Sequence, residues 1–157
     1  MRPKLLFVCT GNTCRSPMAE MLARTILESW AEVSSAGLMA LEGQKASPQA
    51  IAAMKKRGLD ITAHKARRVS AELLERADYI VPMTQYHEQF LKSEFPQIAD
   101  KVKRLSDWAG LDEDIADPYG DPVETYIECM ERLNEMLQQL LVELKNMYLH
   151  EMGNDER

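Results

Sequence analysis

Cys9 and Arg15 stand with five residues between them, and Ser16 follows directly: Cys9-Thr10-Gly11-Asn12-Thr13-Cys14-Arg15-Ser16. Successive backbone N–H groups in a tight turn form a concave nest for an anion. A helix starting near Arg15 adds its own free N–H groups and the positive end of its dipole. Gly11 permits a positive φ, and Asn12 is among the few other residues that tolerate it. The planar fork of Arg15 suits two phosphate oxygens at once. Thr10, Gly11, Asn12, Thr13, Cys14 and Arg15 therefore read as a cradle for a tetrahedral oxyanion, with Cys9 at its floor. A field that stabilises a phosphate dianion also stabilises a thiolate, which predicts a sulfur charged at neutral pH and aimed at phosphorus. Ser16 is placed to donate a hydrogen bond to that sulfur. Taken alone, Cys9 would be a buried cysteine closing a strand. The combination of strand, Gly-Asn turn, Arg-Ser-Pro and helix start argues for chemistry.

Phosphoryl transfer to sulfur also needs an acid for the leaving group. Asp117-Pro118-Tyr119-Gly120 supplies a carboxylate on a backbone fixed by proline, beside an aromatic ring able to wall a pocket. Alone, Asp117 is a turn residue in a loop that also holds Asp112, Glu113, Asp114 and Asp121.

The elements around these groups follow from hydrophobic spacing. Lys4 to Thr10 is a short apolar run, predicted to be a buried strand. Met18, Met21, Leu22, Thr25 and Ile26 mark one face of a helix ending near Trp30. Glu32 to Ala36 reads as a second strand. Ser47-Pro48 starts a helix that Gly58 stops. Ser70 to Arg76 has another capped start, Tyr79 to Met83 is a third strand, and Gln85 to Phe95 is helical until Pro96. Val102 to Leu105 is expected as a fourth, shorter strand, and 106–122 as a loop rich in Asp, Gly and Pro. One apolar stripe from Val123 to Leu144 makes the last helix the longest. The expected fold class is α/β, a single domain over 1–150 with a four-stranded parallel sheet and helices on both faces; 151–157 is expected to fray as a polar tail. In such sheets ligands bind beyond the carboxyl ends of the strands, which is where Cys9 falls.

Composition excludes several classes. With 157 residues, 45% hydrophobic and 28% charged, the chain can build one packed core. A net charge of −6 argues against nonspecific binding to nucleic acid or an anionic membrane. No apolar run reaches the roughly 18 residues of a membrane span, and Met1 to Thr10 is too short for a signal peptide. Three cysteines fit a reducing compartment, so a cytoplasmic, soluble protein is expected.

At two segments, Val8 to Glu20 (VCTGNTCRSPMAE) and the Asp117-Pro118 pair, the sequence resembles the low-molecular-weight protein tyrosine phosphatases. The likeness continues through Ser34-Ser35-Ala36-Gly37, the Asp78 to Met83 strand and the final helix. It implies a Rossmann-like sheet and a two-step mechanism without metal or cofactor. Cys9 would attack phosphorus, Arg15 and the loop amides would hold the equatorial oxygens, and Asp117 would act as acid and then base. The resemblance also implies that Asn12, Ser16, Ser35 and His64 support the loop. Read alone, His64 between Ala63 and Lys65 is a solvated histidine.

Thr13 separates branches of that family. Tyrosine-specific members usually carry a branched apolar residue there, whereas Thr13, with Tyr119 followed by Gly120, is similar to the bacterial protein-arginine phosphatases. A phosphoarginine guanidinium is planar and polar, and a buried N–H facing only isoleucine would lose its partner. The expected activity is hydrolysis of phosphoarginine on protein substrates with phosphate as product, by a monomer; the alternative is protein tyrosine phosphatase. An arsenate reductase of the same loop type needs two further relay cysteines, and only Cys14 and Cys129 remain. A non-catalytic phosphate-binding module would need neither Cys9 nor Asp117. Cys14 is either a small buried residue or the partner of Cys9 in a reversible disulfide. The basic cluster Lys55, Lys56, Arg57, Lys65, Arg67 and Arg68 reads as a solvated helix end and loop, and Trp108 as an anchor of the acid loop or a cap on the core.

Overall fold

Leu5, Leu6, Phe7, Val8 and Cys9 are consecutive and all buried, which makes β1 (Lys4–Cys9) the central strand. The computed structural model describes residues 2–27 and 29–155. β1 pairs in parallel with β2 (Glu32–Gly37) on one side and β3 (Tyr79–Pro82) on the other, giving the order β2-β1-β3. Side chains of β1 alternate between two cores. Leu5, Phe7 and Cys9 pack with α1 (Arg15–Leu27), α2 (Pro48–Lys56), the short α5 (Leu105–Trp108) and the long α6 (Val123–Asp155). Leu6 and Val8 pack against Leu74 of α3 (Ala71–Arg76) and Leu91 of α4 (Gln85–Glu94). Helices thus cover both faces, as the alternation of strands and helices predicts. Ser47, Ser70 and Thr84 cap α2, α3 and α4, their hydroxyls accepting from Ala50, Leu73 and His87 N–H at 3.2, 3.2 and 3.1 Å.

Three details differ from expectation. The expected fourth strand shrinks to one parallel bridge, Val102 to Ile80, with Lys103 N donating to Ile80 O at 3.0 Å. Arg104 then turns its guanidinium to the carboxylates of Asp107, Asp112 and Asp114, and Leu105 opens α5 instead of extending a strand. α1 stops at Leu27, because Trp30 N closes a turn onto Leu27 O at 2.7 Å. The polar tail does not separate from the last helix: α6 continues to Asp155, since adding a turn to an existing helix costs little once it is nucleated. Glu156 and Arg157 lie outside the described residues. Among the described residues no helix is long and apolar enough to cross a membrane.

This frame fixes the site. Cys9 ends β1, Gly37 ends β2, and Ile115 N donates to Met83 O just past β3 at 3.1 Å, so the acid loop is tied to the same sheet edge.

Candidate active site

The loop from Cys9 to Arg15 is held by its carbonyls. Cys9 O accepts from Leu38 N (2.9 Å), Thr10 O from Met39 N (2.9 Å), Thr13 O from Ser47 N (2.9 Å) and Cys14 O from Met18 N (3.2 Å). Asn12 O accepts from His64 Nε2 at 2.7 Å. In a planar trans peptide the N–H points opposite the C=O. Carbonyls drawn outward into the scaffold therefore turn the following amides inward, and the N-terminus of α1 at Arg15 completes the nest.

Asn12 takes the left-handed conformation, with φ 57°, and is fully buried. Gly11 does not take a positive φ, so the glycine freedom expected there is unused. Asn12 works harder than a turn residue. Its Nδ2 donates to Ser16 Oγ (2.8 Å) and Ser35 Oγ (3.0 Å), while its Oδ1 accepts from Arg67 N (3.0 Å). Ser16 Oγ lies 2.8 Å from Cys9 Sγ; with Asn12 donating into that oxygen, the serine proton is free to point at sulfur. Ser35 Oγ in turn donates a hydrogen bond to Glu20 Oε1 at 3.1 Å.

Arg15 is 5% exposed. Its Nη1 donates to Ile115 O at 2.9 Å, and its Nη2 reaches Thr10 Oγ1 at 3.5 Å and Asp117 Oδ2 at 3.6 Å. Asp117 is half exposed and accepts from Tyr119 N at 3.1 Å. Cys9, Thr10, Gly11, Thr13, Cys14, Arg15, Asp117 and Tyr119 line one cleft of about 360 Å³ with Met39, Leu41 and Gln44. Tyr119 is a rim residue, 74% exposed. The structure thus brings together the Cys9 thiol, the Arg15 guanidinium, the Asp117 carboxylate and Thr13 that the sequence singles out; Asn12, Ser16, Ser35 and His64 form the layer behind them.

The acid loop hangs on two arginines. Arg104, nearly buried, donates to Asp112 (2.6 Å), Asp114 (2.9 Å) and Asp107 (3.3 Å), and Arg132 Nε donates to Glu113 at 2.6 Å. Trp108 is buried in the core, edge-on to Tyr79 with ring centroids 5.5 Å apart. Cys14 Sγ meets Tyr126 Oη at 3.3 Å and donates to Ser47 Oγ at 3.5 Å. Burial and that contact push the Tyr126 phenol up to about 12. Cys129 sits at the core edge, where burial pushes its thiol up to about 12. Among the described residues no three His, Cys, Asp or Glu side chains converge to hold a metal ion.

Sequence reasoning missed several supports. Arg67, read as part of a solvated cluster, is a half-buried brace: besides its N–H on Asn12, its Nε donates to Ser35 O at 2.9 Å. Glu20 was legible in principle, one helical turn beyond Ser16 on the same face of α1. His87 carries no local signal; only packing of α4 brings its Nε2 to 2.9 Å from Thr10 Oγ1.

The family described as low molecular weight phosphotyrosine protein phosphatase matches residues 4–149. A Bacillus subtilis protein named protein-arginine-phosphatase is 39% identical over 145 residues, spanning 90% of this chain and 96% of its own length. A Ralstonia nicotianae protein named probable low molecular weight protein-tyrosine-phosphatase EpsP is 39% identical over 129 residues, 82% of this chain and 87% of its own. A solved structure of YwlE arginine phosphatase, a Cys-to-Ser mutant with a phosphorylated active-site serine, superposes with a TM-score of 0.87 at 38% identity, covering 90% of this chain and 95% of that one.

Proposed function

The chain belongs to the low molecular weight phosphotyrosine protein phosphatase family, and from that membership we propose that it is a protein-arginine phosphatase working through a phosphocysteine. The observation that carries the substrate is Thr13, nearly buried in the wall of the cleft that holds Cys9, Arg15 and Asp117. Its hydroxyl gives a guanidinium N–H an acceptor, where an apolar side chain would leave that N–H desolvated and unpaired at a cost of about 1–3 kcal/mol. The Bacillus subtilis relative's name and the phosphoserine trapped in the YwlE mutant support the same reading.

In the first step Cys9 Sγ attacks phosphorus, an S–P bond forms and the P–N bond breaks. Asp117 gives its proton to the departing nitrogen, so that the arginine side chain leaves as an ordinary guanidinium cation. Arg15 and the inward amides hold the three equatorial oxygens, whose charge grows in the transition state. In the second step Asp117 takes a proton from water, the water oxygen bonds to phosphorus, and the S–P bond breaks with the electron pair returning to sulfur. Ser16 donates to Sγ, stabilising it both as nucleophile and as leaving group. Asn12, Ser35 and His64 keep the loop in shape for both steps. On this reading the enzyme acts as a cytoplasmic monomer on phosphorylated proteins, needs no cofactor and releases inorganic phosphate. Cys14 serves as the resolving thiol when Cys9 is oxidised.

Matched phosphoarginine and phosphotyrosine peptides, turned over by wild type and Thr13→Ile, test the substrate. Wild type should favour phosphoarginine, and Thr13→Ile should shift preference to phosphotyrosine. Preference of wild type for phosphotyrosine, or unchanged selectivity in the variant, would falsify the reading.

A further inference from the structure

Behind the anion cradle lies a histidine that the two-step mechanism does not use. His87 is 2% exposed and sits in the first turn of α4, where its N–H caps onto Thr84 Oγ1. Its Nε2 is 2.9 Å from Thr10 Oγ1, and among the described residues its buried Nδ1 finds no hydrogen-bond partner. The same Thr10 oxygen receives Arg15 Nη2 at 3.5 Å and lines the cleft with Cys9 and Asp117.

A neutral imidazole carries one proton, and the surroundings decide where. On Nδ1 it would be an orphaned buried donor, a rare and costly arrangement; on Nε2 it has the Thr10 oxygen as acceptor. Burial and the Arg15 charge hold the ring neutral, lowering its pKa to about 4 against the opposing pull of Asp114 and Asp117. The positive end of α4 acts in the same direction. With Nε2–H and Arg15 both donating to Thr10 Oγ1, the two acceptor sites of that hydroxyl are filled. Its own proton then has to point away from both.

We infer that the Thr10 hydroxyl is a further substrate-contacting donor, turned into the cleft toward a phosphoryl oxygen, and that His87 is the positioning residue that turns it. This rests on the phosphatase reading of the cleft. It adds a side-chain donor to the amides and guanidinium, and it makes the tautomer of His87 part of the site's construction. A hydroxyl left free to rotate would spend much of its time bonded elsewhere.

Two measurements on the intact protein test it. Ring ¹H–¹⁵N correlation spectra of histidine-labelled protein, with the His87 signal assigned through His87→Gln, should report the Nε2–H tautomer; an Nδ1–H tautomer overturns the positioning role. Inhibition by inorganic phosphate should weaken by about tenfold to a hundredfold in Thr10→Val, the loss expected for one hydrogen bond to an anion, and stay near wild type in Thr10→Ser. His87→Phe should weaken it less than Thr10→Val does, and His87→Gln, which restores a donor near Nε2, should recover most of the loss. Phosphate inhibition within twofold of wild type in Thr10→Val overturns the inference, whatever the behaviour of the His87 variants. A wild type inert toward phosphoarginine and phosphotyrosine peptides alike would overturn the phosphatase reading instead, and phosphate binding to Thr10→Val by calorimetry would still decide this one.

Discussion

Gly37 presses its α-carbon against Thr10: a β-carbon there would lie 2.5 Å from the Thr10 carbonyl oxygen and 2.9 Å from the Asn12 nitrogen. The end of β2 is therefore the surface on which the anion loop is moulded, and backbone atoms on both sides leave no flexible group to yield. Gly37→Ala should displace the loop, lower stability by about 1–3 kcal/mol and abolish most phosphate binding. Thermal melts with and without inorganic phosphate check this, the ligand-induced rise in Tm being lost in the variant.

Ser16→Ala tests the hydroxyl facing the proposed nucleophile, Cys9. It removes the donor to Cys9 Sγ and leaves Asn12 Nδ2 with only Ser35. The loss should fall on the step in which sulfur departs. Turnover should drop about tenfold to a hundredfold, and a burst of released leaving group should appear as phosphocysteine accumulates. Rapid-quench kinetics measure the burst.

Arg104 gathers Asp107, Asp112 and Asp114 at the root of the acid loop, and those three carboxylates hold its guanidinium pKa up. Arg104→Met leaves three like charges facing one another beside Asp117's segment. Because Asp112 is almost wholly exposed, the stability cost should stay near 1–2 kcal/mol. Catalysis should suffer selectively: substrates that need their leaving group protonated should slow far more than p-nitrophenyl phosphate, which does not. Comparing kcat on the two kinds of substrate reads the difference.

His87 also makes stability depend on pH. Its pKa is lowered from 6.5 to about 4 by burial first and by Arg15 second. Between those values the unfolded chain binds a proton that the folded chain does not, so stability rises with pH. The contribution is fully present above pH 6.5 and is lost as pH falls toward 4, by about 3 kcal/mol in all. Urea midpoints measured from pH 7 to 4.5 should fall more steeply for wild type than for His87→Gln.

Cys9 and Cys14 offer a redox test. One equivalent of peroxide should take two hydrogens from the two thiols, forming a disulfide and two waters, with reversible loss of activity. Intact-mass and peptide mapping should find the Cys9–Cys14 bridge. In Cys14→Ser, now without its thiol between Ser47 and Tyr126, the same treatment should drive Cys9 onward to irreversible acids.

Much of the molecule was legible in order. The apolar run of β1, the Gly-Asn turn and the Arg-Ser-Pro helix start placed Cys9, Arg15 and Ser16 correctly, because strand, turn and helix propensities act over a few residues. Val102 makes only a single bridge for a related reason: its apolar pattern is local, but whether a strand forms depends on a partner edge, and the pull of three aspartates on Arg104 diverts the chain. Arg67 looked like one more solvated charge, since nothing nearby in sequence reveals that its N–H faces Asn12.

The sequence by itself determined the identity and spacing of the groups proposed to react, since Cys9, the loop after it and the helix start lie within eight consecutive residues. Only the tertiary structure decided what surrounds them. His64, Arg67, His87 and Ile115 reach the loop from 52 to 100 positions away, and Gly37 shapes it from the neighbouring strand. The physical reason is range: backbone propensity is settled by neighbours in the chain, whereas a hydrogen bond or a close contact is settled by whichever atoms packing delivers.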